Sequence, residues 1–263
     1  MRMHNREALP ATADEVFADG NMTPVIRRGN EVRRARSPWW RASAAVLRHL
    51  EHVGYTGAPR LLGYDGETER LTFVAGESAP ASLDGFLKEK ILVAVGEMIR
   101  DYHQAMRSFV MPDDIAWPVM IGAPSSDGTI CHNDIAPWNT IFRDREPVAL
   151  IDWDLVAPGT RAWDLAYAAW RFVPLYPDDR FGTPAERVHR ITLLLDAAEL
   201  PRSGRSDFLR LVRDRMHSSY ETVEVWGRQG VPGFEKLYRE RMHVDALDHI
   251  AWLERHLLDA TRA

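Results

Sequence analysis

Apolar residues recur along this chain in two rhythms, and the change from one to the other divides it. From about Thr23 to Arg36 the run TPVIRRGNEVRRAR breaks into two short strand-like stretches that meet at Gly29-Asn30, a turn-forming pair, and so predicts a β-hairpin. The next stretch, WWRASAAVLRHLEHVG, places Trp40, Ala44, Leu47 and Leu50 at helical spacing and stops at Gly54. RLLGYDG and ERLTFVAGE predict a further strand pair. Residues 1–76 therefore read as a small sheet carrying one helix.

Beyond that point the helical rhythm dominates. SLDGFLKEKILVAVGEMIRDYHQAM sets Leu87, Ile91, Val95, Met98, Ile99, Tyr102 and Met106 on one broad face. Thr183-Pro184-Ala185-Glu186 joins a capping box to a proline at the first helical position and marks a helix start. Two longer helices are predicted over about 206–226 and 233–259. The small, polar, proline-containing run AGESAPAS, around 75–82, reads as the linker, with residues 77–263 forming a second, mainly helical lobe.

Composition narrows the class. With 263 residues and 45% hydrophobic content, the chain can bury a sizeable core. A formal charge of −5 and a pI near 6.1 argue against a nucleic-acid partner held by a basic surface. No apolar run approaches a membrane span, the N-terminus has no signal-like apolar core, and Cys131 is the sole cysteine. The expectation is a cytoplasmic protein that touches neither membrane nor nucleic acid. Lysine occurs only at Lys88, Lys90 and Lys236, so nearly every cation is an arginine.

The chemistry concentrates in TICHNDIAPWNTIF, residues 129–142. Asp134 and Asn139 stand in a D-x-x-x-x-N spacing, and Asp152 follows in VALIDWD. Phosphoryl transfer needs one carboxylate for the attacking hydroxyl, and a second carboxylate with an amide oxygen to hold Mg²⁺ on nucleotide phosphates. The flanking runs TIC, TIFR and VALI read as short strands, with DREP turning the last two into a hairpin that ends at Asp152.

On these residues the chain resembles the aminoglycoside phosphotransferase and choline kinase-like family. The resemblance implies an α+β, two-lobed protein-kinase-like fold and a small-molecule kinase using Mg²⁺ with ATP or GTP on a small hydroxylated acceptor: an aminoglycoside or other antibiotic, an amino alcohol or a sugar. It implies Asp134 as the catalytic base, Asn139 and Asp152 as metal ligands, and His132 and Asp164 (in PGTRAWDLAYAAW) as supports of the catalytic loop. The backbone at Phe73, Val74 and Ala75 would hold the nucleotide base.

The small lobe departs from the family pattern. No lysine precedes Lys88, so another cation must replace the strand lysine that holds the phosphates. Val32 and Arg34 share a strand face by period two, making Arg34 the candidate and Arg33 the second choice. For the partner helix glutamate only Glu51 is available, and the phosphate-covering loop offers a single glycine, Gly20. Acceptor contacts are expected from Trp138, Trp153, Asp154, Tyr220, Glu221, Glu224 and Trp226, since carboxylates with aromatic rings suit a cationic acceptor. His243, His249 and His256 lack the i, i+4 spacing of a helical zinc pair and read as structural. The rival reading, motivated by the missing lysine and glutamate, is a nucleotide-binding regulatory protein with little transfer activity.

Overall fold

A computed structural model describes residues 15–17, 25–80, 82–126 and 128–258. Gly20 lies outside the described residues. Five antiparallel strands form the first sheet: β1 (Glu15–Phe17), β2 (Val25–Arg28), β3 (Glu31–Ala35), β4 (Leu61–Asp65) and β5 (Thr68–Thr72), in the order β1-β2-β3-β5-β4. The predicted hairpin is present, with Gly29 left-handed at its turn. Helix α1 (Trp40–His52) packs on this sheet and buries Ala42, Val46, Leu47 and Leu50. The β3–β5 register sets Arg34 directly opposite Glu69.

The predicted linker is partly structured. Strand β6 (Glu77–Ser78) pairs with β8 (Thr140–Arg143), which in turn pairs with β9 (Glu146–Leu150). Gly76 is obligatory at this crossing: at φ 148° a Cβ would stand 2.5 Å from the Phe142 carbonyl oxygen. A separate ribbon joins β7 (Thr129–Cys131) to β10 (Ala157–Gly159). The loop after β7 and the segment before β10 thus leave one ribbon side by side, and the β8–β9 hairpin closes their far ends.

Among the described residues six helices complete the larger lobe: α2 (Glu89–Ala105), α3 (Arg161–Phe172), α4 (Pro184–Ala197), α5 (Phe208–Arg228), α6 (Phe234–Arg239) and α7 (Asp245–Leu253). Helix α2 begins later than its apolar rhythm implies, because Leu83 and Gly85 take left-handed backbone angles and turn the chain first. The α4 capping box is formed in both directions: the Thr183 amide donates to Glu186 Oε2 at 2.7 Å, and the Glu186 amide donates to Thr183 Oγ1 at 3.3 Å. Close packing of α2 on α4 depends on Gly96, where a Cβ would meet Ala197 Cβ at 2.7 Å. The single helix predicted over 233–259 is two. Arg241 adopts φ 56°, and the Met242 amide donates back to Leu237 O at 3.0 Å, a left-handed stop that no glycine or proline announces. No described helix is long and apolar enough to cross a membrane.

His249 on α7 illustrates how tightly this lobe is closed. Its Nδ1 accepts a hydrogen bond from Trp170 Nε1 at 3.1 Å, and its ring stacks on Tyr176 with centroids 4.6 Å apart. Burial first, and then the positive charge of Arg171, bring its pKa down to about 4. In the unfolded chain the imidazole titrates near ~6.5. Between those values the unfolded chain carries the proton and the folded chain does not, so stability falls as pH drops from ~6.5 towards 4. Because the ring is partly exposed, the expected loss is on the order of 1–2 kcal/mol. Urea midpoints at pH 7.5 and pH 5 would measure it, and His249→Gln should flatten the difference; an unchanged difference in the variant would assign the slope to other groups.

Candidate active site

Asp164, one turn into α3, organises the loop that follows β7. Its carboxylate accepts the backbone amides of His132 at 3.0 Å and Asn133 at 2.9 Å, and a third bond from His103 Nε2 at 3.0 Å. The group is fully buried. Burial alone would raise its pKa, but the His103 hydrogen bond and the charges and amides around it hold it below the usual carboxylate value. Asn133 sits at φ 64°, a left-handed angle that asparagine tolerates, and its side-chain amide ties Leu155 O at 2.9 Å. From α5, buried Arg215 donates to Asn133 O at 2.6 Å.

His132 couples the two halves of the site. Its Nδ1 accepts from the Asp134 amide at 3.3 Å, and its Nε2 donates to Ile151 O at 3.1 Å. Burial lowers its pKa, so the neutral ring spans from the backbone of Asp134 to the residue preceding Asp152. The buried Asn139 side chain donates to Asp134 Oδ2 at 2.7 Å and to Asp134 O at 3.0 Å, which leaves its amide oxygen as the remaining acceptor. Removal from water, and then the neighbouring Asp152 carboxylate, push Asp134 up to about 7. Asp152 itself is held at φ 63° and ψ 68°, a strained backbone for a non-glycine residue.

Across the seam between the sheet and the helices, Arg34 reaches this site. Its Nη1 donates to Asp152 Oδ1 at 2.8 Å, its Nη2 to Asp154 Oδ1 at 2.6 Å and its Nε to Glu69 Oε2 at 2.9 Å. Although burial disfavours its charge, the three carboxylates hold the guanidinium firmly protonated. Arg33 points to the opposite strand face and pairs with Glu31 at 2.6 Å. Exposed Glu51 plays no part in this network; the acid beside the strand cation is Glu69, 1% exposed on the adjacent strand. Glu69 lies two residues before buried Leu71, on the same inward face by strand alternation, and that was its sequence signal.

The other anticipated residues divide. Phe73, Val74 and Ala75 form the crossing between lobes: the Phe73 amide donates to Asn30 O at 2.7 Å, and Ala75 O accepts from Arg143 Nε at 2.9 Å. Trp138 lies in the loop between Asp134 and Asn139 and is 37% exposed. Trp153 is instead a core side chain, 1% exposed, edge-on to His132 and Tyr102 with its indole N–H on Leu150 O, and it presents no surface to an acceptor. Asp154 belongs to the Arg34 cluster. Further along α5, Glu224 is engaged by His243 at 2.8 Å and by Arg228, Tyr220 packs on His243, and Glu221 is exposed. Trp226 is buried against Trp39 and Phe234.

Tyr167 and Arg171, not anticipated from sequence, flank Asp134. The Tyr167 hydroxyl stands against the Asp134 carboxylate; burial pushes it up to about 12, so it remains a proton donor. For a metal, the Asp152 carboxylate and Asn139 amide oxygen are hard donors of the type Mg²⁺ takes together with substrate phosphates. Among the described residues no group of three or more His, Cys, Asp or Glu is placed to hold a metal ion.

A loop braced by a helix aspartate, an Asp–Asn pair and a second aspartate at a strained turn stand together on a two-lobed kinase-like fold. The sequence pattern of the "Phosphotransferase enzyme family" matches residues 114–190, which hold Asp134, Asn139, Asp152 and Asp164. The trifolitoxin immunity protein of Rhizobium leguminosarum bv. trifolii is 34% identical over 223 residues, covering 80% of this chain and 84% of that protein. The chain belongs to this phosphotransferase family, whose members include enzymes acting on an alcohol group. Its fold is similar to an amicoumacin kinase solved with AMP-PNP and Ca²⁺ (TM-score 0.63, 12% identity, 80% of each chain). It is also similar to a choline/ethanolamine kinase family protein from Mesorhizobium loti (TM-score 0.59, 15% identity, 92% of each chain).

Proposed function

We propose that the protein is a small-molecule kinase that transfers the γ-phosphoryl group of ATP or GTP to a hydroxyl of a toxin or antibiotic. The observation that carries this reading is the convergence of Asp134, Asn139, Asp152 and Arg34 at the seam between the lobes. Asp134 accepts the hydroxyl proton as the acceptor oxygen bonds to the γ-phosphorus and the bond to the nucleoside diphosphate breaks. A carboxylate raised to about 7 is matched to that transfer near neutral pH. Asp152 and Asn139 would hold Mg²⁺, which supplies charge neutralisation at the phosphates. Arg34 adds a second cation in place of the strand lysine, and its fork can turn from carboxylate to phosphate oxygens without losing planar complementarity. The immunity named for the 34% identical relative motivates the acceptor class.

The test is nucleotide titration with and without Mg²⁺, followed by acceptor-dependent release of nucleoside diphosphate. Asp152→Ala should abolish turnover and make nucleotide affinity nearly insensitive to Mg²⁺. A variant that binds Mg²⁺-nucleotide as tightly as the wild type would remove Asp152 from the metal site. Metal-dependent binding without transfer to any acceptor would favour the regulatory reading. In a toxin-sensitive host, expression of the wild type should raise survival and expression of the Asp134→Asn variant should not.

A further inference from the structure

Positive charge other than that of Arg34 lies near Asp134. Arg171, in the last turn of α3, lies one helical turn beyond Tyr167, whose hydroxyl stands against Asp134. Its guanidinium stacks on Trp170 at 3.6 Å and lies 4.9 Å from the Tyr167 ring and 5.4 Å from the Trp138 ring. Trp138 is the half-open side chain of the catalytic loop, between Asp134 and Asn139 in neither's hydrogen bonds. The rings therefore hold the guanidinium plane beside the catalytic loop while saturating none of its N–H groups.

Among the described residues Arg171 has no carboxylate within ion-pair distance, and its Nε is buried with no hydrogen-bond partner. That is unusual in a chain whose other cleft arginine, Arg34, is served by three acids. The helix C-terminus favours a cation at this position but offers no oxyanion to its fork. The other cation near Asp134, Arg215, is fully buried and already donates to Asn133 O and Ser219 Oγ. Of the acids expected from sequence to receive a cationic acceptor, Asp154 is held by Arg34, and Glu221 and Glu224 lie further along on α5, with Glu224 taken by His243 and Arg228.

The geometry points to Arg171 as an acceptor-binding residue that selects, for the kinase proposed above, a hydroxylated acceptor carrying a carboxylate rather than a polycation. A carboxylate matches the guanidinium fork in two parallel hydrogen bonds, and the partly exposed Trp138 ring supplies an apolar face for the body of the molecule. A cationic amine in the same place would meet Arg171 with no compensating acid. The substrate's oxyanion and its hydroxyl are thereby held on either side of Tyr167, which sets the hydroxyl against Asp134.

The decisive experiment measures nucleoside diphosphate release by the full chain with Mg²⁺-ATP and Mg²⁺-GTP over matched acceptors: hydroxy acids, their methyl esters, hydroxylated phosphate esters, amino alcohols and aminoglycosides. The wild type should prefer the free acids. Arg171→Gln should raise KM for them by about tenfold to a hundredfold with kcat much less changed, the range expected for a charged hydrogen-bonded pair. Esterification should weaken wild-type binding by a similar factor and should cost Arg171→Gln little more, while Arg171→Lys recovers part of the loss. A preference for phosphate esters over carboxylates would overturn the carboxylate assignment, and a preference for amino alcohols or aminoglycosides would overturn the anionic pocket, in both cases with the kinase reading intact. Absence of transfer to every acceptor, with no Mg²⁺-dependent nucleotide binding, would instead overturn the kinase reading. Because the free-acid and ester comparison uses the wild-type chain, it decides the matter even where an Arg171 variant folds poorly.

Discussion

An asparagine at Asp134 is expected to lower turnover on the order of 10²- to 10⁴-fold while leaving the fold and nucleotide affinity nearly unchanged. The replacement is isosteric, and the backbone amide of residue 134 keeps its bond to His132. What is lost is the ability to take a proton from the acceptor hydroxyl. The side-chain contact to Asn139 also survives, because an amide oxygen at 134 can accept from Asn139 Nδ2 as Oδ2 does now at 2.7 Å. Stability should therefore stay within about 1 kcal/mol, since the charge-assisted bonds from Asn139 and Tyr167 become neutral ones while the cost of burying a charge is relieved. Single-turnover transfer with saturating Mg²⁺-nucleotide would separate the chemical step from binding. Transfer within a few-fold of wild type would remove Asp134 from the chemistry and leave it as a loop-ordering residue.

The large-lobe half of this site was legible in the sequence because its parts are close along the chain. Asp134, Asn139 and Asp152 sit on one β7-to-β10 excursion, so local spacing alone brings them to one place. Helix α1 and the β2–β3 hairpin were equally legible, since a 3.6-residue or two-residue rhythm with a glycine stop needs no distant partner. Glu69 was not singled out: alternation puts it on the inward face with Leu71, but a buried acid there has no partner until the Arg34 guanidinium is placed 35 residues away in sequence. Tyr167 and Arg171 were hidden in another way: α3 is apolar almost all round and reads as a core helix, while their proximity to Asp134 depends on how Asp164 docks the loop. Trp153 was misplaced because adjacency to Asp152 says nothing about direction; the turn at Asp152 sends the indole inward. The break between α6 and α7 depends on a left-handed Arg241, a conformation that arginine does not advertise.

The Arg34 cluster should give the largest change in stability. Arg34→Ala is expected to destabilise the fold by about 3–5 kcal/mol and to weaken nucleotide binding, because it strips the shared cation from Glu69, Asp154 and Asp152 at once. Most of that cost resides in Glu69, which at 1% exposure has no access to water, whereas Asp152 at 36% side-chain exposure can be solvated. Arg34→Lys should recover only part of both effects, since one compact ammonium cannot reach three carboxylates served by three separate N–H vectors. Arg33→Ala should cost under about 1 kcal/mol, because Glu31 keeps Arg70 at 2.8 Å and the pair lies on the outer strand face. The sharpest comparison is the double variant Arg34→Met/Glu69→Leu: removing the buried acid with its cation should restore stability towards wild type without restoring nucleotide affinity. Urea unfolding and Mg²⁺-nucleotide titration of the same four proteins would place both effects on one scale. If the double variant is as unstable as Arg34→Ala, the orphaned Glu69 is not the cause; if it binds nucleotide like wild type, Arg34 does not meet phosphate, and the charge that replaces the strand lysine must come from another residue of the cleft.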